Sequence, residues 1–136
     1  MGLFSSRLDR EIADHQERAR LSKRIQRVLD KWQPILGVEV REFHIKKMLS
    51  WGSSNLSTQR LWVSQMLAGM SNAALELVVV HELMHFLIGD SVGSGHDARF
   101  YALMDHYLPT WRRRHRQLRS PEGIVAGKLP HLPRQR

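Results

Sequence analysis

Val78-Val79-Val80-His81-Glu82-Leu83-Met84-His85-Phe86-Leu87-Ile88-Gly89 is the stretch on which the fold turns. Its valines have strand propensity, yet Ser71 offers an N-cap and Gly89 a C-terminal stop for a helix running to Ile88. Periodicity alone does not separate a buried strand from a buried helix over so short a run. The chemistry differs between the two. On a helix, residues four apart share a face with Cβ atoms about 5–6 Å apart, so the imidazoles of His81 and His85 reach one divalent metal ion.

Glu82 follows the first of these histidines directly, which places its carboxylate beside the metal rather than on it. Its expected role is general base towards water, then proton shuttle to the leaving group. Burying two imidazoles and a carboxylate on an apolar helix without partners is costly, and a metal ion resolves all three at once. A catalytic zinc site takes three protein ligands and keeps one position open. His96, eleven residues beyond His85 across the glycine- and serine-rich segment 89–95, is the expected third ligand. Asp90, Asp97 and His106 are its rivals.

Working outward, Leu21, Ile25, Val28, Leu29 and Trp32 form one apolar stripe, predicting a helix over Leu8–Trp32 that Pro34 and Gly37 stop. Val38–Met48 alternates partly and reads as a strand. Trp51-Gly52-Ser53-Ser54-Asn55 is turn chemistry, and Leu61–Leu67 reads as a second strand, antiparallel to the first. His96–Leu108 is again helical, with Phe100, Leu103, Met104 and Tyr107 on one face. Pro109 breaks it, and Trp111 opens a short basic helix to about Arg119.

The 136 residues suffice for one domain, and the longest apolar run, Leu77–Val80, is far below the ~20 residues that span a bilayer. The absence of cysteine excludes disulfides, thiolate zinc sites, iron–sulfur clusters and a cysteine nucleophile. With no signal-peptide pattern at its start, the chain is expected in the cytoplasm. Charge is uneven: residues 1–37 carry eight Lys/Arg against five Asp/Glu, 38–110 five against seven, and 111–136 eight against one. Arg112, Arg113, Arg114, Arg116 and Arg119 head that last segment and are expected to attract nucleic acid non-specifically, or an acidic partner.

Several segments, taken in order, resemble the YgjP-like metal-dependent hydrolases, relatives of the SprT-like and WLM zincin peptidases. They are Trp51-Gly52-Ser53, the strand Leu61–Leu67, Val79–His85, His96-Asp97-Ala98-Arg99-Phe100-Tyr101, and Leu108-Pro109-Thr110-Trp111 with its arginines and Leu118. Together they cover roughly residues 30–119. The resemblance implies helix rather than strand at Val78–Val80. It also implies a small α+β zincin-like fold, with His81, His85 and His96 on zinc and Glu82 as catalytic acid/base. Three departures stand out: Ser54 where the family usually has cysteine, Ser50 where it usually has a basic residue, and a longer loop between His85 and His96 than is typical.

The expected architecture is a short antiparallel sheet packed on the active-site helix. Residues 1–119 form a single domain, divided into an N-terminal helix (1–33), a small sheet (38–67) and metal-binding helices (71–119), with 120–136 as a flexible basic tail. The expected function is a zinc-dependent metallopeptidase acting on a peptide or protein substrate. An oxyanion or substrate contact is expected from Arg99, Tyr101, His106 or Tyr107, with Trp51 lining the site. Two alternatives share the same centre. One is a nucleotide pyrophosphatase, disfavoured by the net negative charge of residues 38–110; the other is a DNA-associated SprT-like protease using the basic tail.

Overall fold

A computed structural model describes residues 6–89 and 96–118. The chain opens with a 30-residue helix, α1 (Arg7–Leu36), started by a capping box. The Ser6 hydroxyl accepts from the Asp9 amide and the Asp9 carboxylate accepts from the Ser6 amide. Leu21, Ile25, Leu29, Trp32 and Leu36 form its buried stripe. Pro34 does not stop the helix as expected but lies inside its last turn, where a missing N–H removes only one ladder bond. The stop is Gly37, whose left-handed φ of 68° lets its N–H reach the Gln33 carbonyl.

Three short strands follow: β1 (Glu42–Lys46), β2 (Gly52–Asn55) and β3 (Arg60–Ser64). Their spatial order is β1-β3-β2. β1 and β3 are parallel, with Phe43 opposite Leu61 and Ile45 opposite Val63, while β2 is antiparallel to β3. The sheet is therefore mixed, which corrects the expected antiparallel pairing of the first and last strands. The cause is the unforeseen strand β2. Its glycine, serines and asparagine read as a turn, yet they pair along β3, so the chain reverses twice and β3 returns parallel to β1. A 3-10 turn (Gln65–Gly69) takes up the rest of the expected strand Leu61–Leu67, because Ser64 caps it by accepting from the Met66 amide.

The predicted central helix is present as α2 (Asn72–Ile88), capped by Ser71 and ended at Gly89. α3 (Ala98–Tyr107) begins at Asp97, whose carboxylate accepts from the Phe100 amide, and α4 (Trp111–Leu118) buries Trp111, His115 and Leu118. α2 is buried almost all round, with Leu75, Leu77, Val79, Val80, Leu83 and Met84 at 0% exposure. Thus α1, the sheet, α3 and α4 all pack around one apolar rod, and tertiary burial supersedes the strand propensity of its valines. Among the described residues no helix is long and apolar enough to cross a membrane. The expected basic tail, 120–136, lies outside the described residues.

Candidate metal centre

α2 carries His81, Glu82 and His85 in consecutive turns of its buried middle, and His96 stands one residue ahead of the Asp97 cap of α3. The three histidines each present a ring nitrogen, and these nitrogens all lie within 4.8 Å of one another. The closest pair, Nε2 of His81 and Nε2 of His96, is 3.2 Å apart. Tetrahedral zinc with ~2.0–2.1 Å bonds holds its nitrogens about 3.3 Å apart, so this spacing suits a shared ion. His81 is fully buried, while His85 and His96 are partly exposed, leaving an approach from their side.

Phe100 makes the floor. Its ring centroid is 5.0 Å from that of His81, 5.3 Å from His85 and 4.7 Å from His96, and the residue is fully buried. Its apolar spacing marks it only as core; the turn that leads from His96 through the Asp97 cap into α3 is what brings its ring against that imidazole.

Glu82 is 1% exposed, and its Oε2 lies 3.9 Å from His81 Nε2. Burial pushes its carboxyl up to about 8, while the Ser54 hydroxyl on β2 acts in the opposite direction. Oε2 accepts no hydrogen bond among the described residues. A dry carboxylate with an open oxygen, beside three imidazoles crowded onto one point, is what a cation-activated water would satisfy. Three imidazole donors suit zinc, and also copper, iron or nickel.

β2 closes the site from the sheet side. A Cβ built on Gly52 would come within 3.1 Å of Glu82 Cγ and of Val78 Cγ1, and 3.3 Å from Glu82 Oε2. Any larger residue here would press on the Glu82 and Val78 side chains, so the glycine serves the close approach of strand and carboxylate and not a turn. Ser54 is two residues further along the same strand and so presents its side chain to the same face. Sequence reasoning missed both residues because it read the segment as a loop.

The other candidates separate. Arg99 donates to the Ile88 carbonyl at 2.9 Å and so ties α3 to the end of α2. Tyr101 stacks on Trp111 with ring centroids 6.0 Å apart. Trp51 is buried, its carbonyl accepting from the Ser64 amide next to β2. His106 is exposed near the far end of α3 against Tyr107, outside the histidine cluster. Asp97 is engaged as a helix cap, and Asp90 lies outside the described residues.

A family model described as YgjP-like, metallopeptidase domain, matches residues 5–121. A search of the curated proteins finds no match.

Proposed function

The chain belongs to the YgjP-like metallopeptidase domain family, and from that premise we propose that it hydrolyses peptide bonds with one zinc ion held by His81, His85 and His96. The observation that carries this reading is the convergence of the three imidazoles beside a buried carboxylate that does not itself join them. Zinc, when bound, supplies a Lewis acid for the scissile carbonyl and lowers the pKa of water at its open position.

Glu82 is the proton carrier. With a cation held beside it to offset the cost of burial and keep the carboxyl ionised, its open Oε2 would take a proton from the attacking water and pass it to the departing amine nitrogen. Gly52 permits the carboxylate its position, and the Ser54 hydroxyl steadies it from the same strand. Phe100 excludes water from beneath the histidines and keeps their rings in place. β2 is an edge strand of the sheet, so an extended peptide paired along its outer side would pass Glu82.

A neutral peptide fits this setting better than a polyphosphate. The cation nearest in sequence to the third ligand, Arg99, is turned to the Ile88 carbonyl, and the floor is a phenyl ring. The test is release of fluorescent peptides from labelled casein by the zinc-loaded protein. Cleavage should vanish with a chelator and in Glu82→Gln. Phosphate release from nucleoside triphosphates with no casein cleavage would overturn the peptidase reading.

A further inference from the structure

We propose that the cleft where α1, the first turn of α2 and α4 meet binds phosphate groups, free or within a phosphodiester chain. The cleft encloses about 390 Å³ and is lined by Arg24, Arg27, Lys31 and Arg114, with Glu76 as the one carboxylate among its lining residues. It opens at Ala73, eight residues before His81, hence about 12 Å along α2 from the metal centre. The inference is therefore independent of the peptidase reading.

The four cations are only partly neutralised, with one carboxylate, Glu76, among the cleft's lining residues. Arg24 donates to four acceptors that are all neutral: Asn72 Oδ1 at 2.9 Å and the carbonyls of Leu67, Ala68 and Met70 at 3.4, 3.1 and 2.7 Å. These bonds fix its guanidinium while leaving its charge uncompensated. Lys31 and Arg114 share the single Glu76 carboxylate at 3.0 and 2.7 Å. Arg27 is exposed and makes no hydrogen bond or ion pair among the described residues. Such a concavity, with guanidiniums pre-set by packing, suits a compact multivalent anion with several acceptor oxygens, which is the chemistry of phosphate.

α1 extends the site. Arg20, Arg24, Arg27 and Lys31 recur at spacings of four, three and four, so they lie along one face over about 16 Å. That is enough for two or three successive phosphates of a nucleic-acid strand. The expected anion-binding arginines of α4 contribute differently. Arg112 is taken by Asp105 and lies over the Trp111 ring, Arg114 is turned into the cleft, and Arg119 lies outside the described residues.

The test uses the full chain. Inorganic phosphate titrated into isotopically labelled protein should move the amide signals of Arg27, Lys31, Ala73 and Arg114. Anisotropy of a fluorescent oligothymidylate should report binding that weakens at least tenfold between about 50 and about 200 mM salt. Arg27→Glu should weaken binding of whichever phosphate form engages by about tenfold, Arg27→Lys much less, and zinc content should be unchanged in both. Phosphate binding without oligothymidylate binding supports the cleft and assigns it to free phosphate. Shifts confined to other residues, or affinity indifferent to Arg27→Glu, overturn it.

Discussion

Gly52 shows how much of the site hangs on one missing methyl group. Its Cα faces the Glu82 side chain, and an added Cβ would sit 3.1 Å from Glu82 Cγ. In Gly52→Ala the carboxylate must shift by a few tenths of an ångström or more, while the histidines, on other faces of the contact, keep their places. The variant should therefore retain its metal but lose about 10–100-fold in casein turnover, in line with the sensitivity of catalysis to small misplacements. A Gly52→Ala protein with full turnover would remove the close packing of β2 from the mechanism. At this scale the sequence was most legible where side-chain chemistry is written into spacing. His81, Glu82 and His85 follow from a four-residue period, and His96 from the need for a third ligand near them. Gly52, Ser54 and Phe100 stayed hidden because their roles come from which element lies against which, and a single strand or helix face does not state that.

Elements were read correctly where local and tertiary preferences agree. The expected cap at Ser71 and the expected stops at Gly37 and Gly89 all stand at helix ends. The failures are instructive in the same terms. Pro34 looks like a stop in sequence, yet a proline in the last helical turn disturbs little, and the polar segment 52–55 looks like a turn, yet small residues are what a strand needs beneath a buried carboxylate. One further element-scale feature was not legible at all. Arg24 on α1 grips the carbonyls of Leu67, Ala68 and Met70 and the side chain of Asn72, fastening the 3-10 turn and the start of α2 to the long helix. Arg24→Ala should cost about 2 kcal/mol, because three part-buried carbonyls lose a charged donor. The amides around residues 65–72 should then exchange with solvent faster than those of α2's centre, as hydrogen exchange would show; uniform protection would deny Arg24 this fastening role.

For the whole molecule, Glu76 is the joint between three helices. Burial alone would raise its carboxyl. Hydrogen bonds from the Trp32 indole, Arg114 and Lys31, with the Lys31 charge, outweigh that and hold it at about 2. The folded state thus favours the ionised form. Its stabilisation, on the order of 2–3 kcal/mol, is complete above the ordinary value of 4.5 and is lost as pH falls from there to about 2. Asp14, Glu42 and Asp105 are also lowered and act in the same sense from the surface. The thermal midpoint should fall steeply across that window, and Glu76→Gln should start lower at neutral pH and fall less. An unaltered acid profile in Glu76→Gln would show that the joint does not bear on stability. The same α2 that carries Glu76 near one end carries the histidines towards the other, so the fold is a frame built to hold one buried helix against one edge strand. Whether that frame holds a metal ion is decided by elemental analysis of the wild type beside His96→Ala and Glu82→Gln, each supplied with zinc and then dialysed. About one zinc per chain is expected in the wild type and in Glu82→Gln, and its loss in His96→Ala. A wild type that retains no metal, or a His96→Ala protein that retains it as firmly as the wild type, would contradict the three-histidine centre.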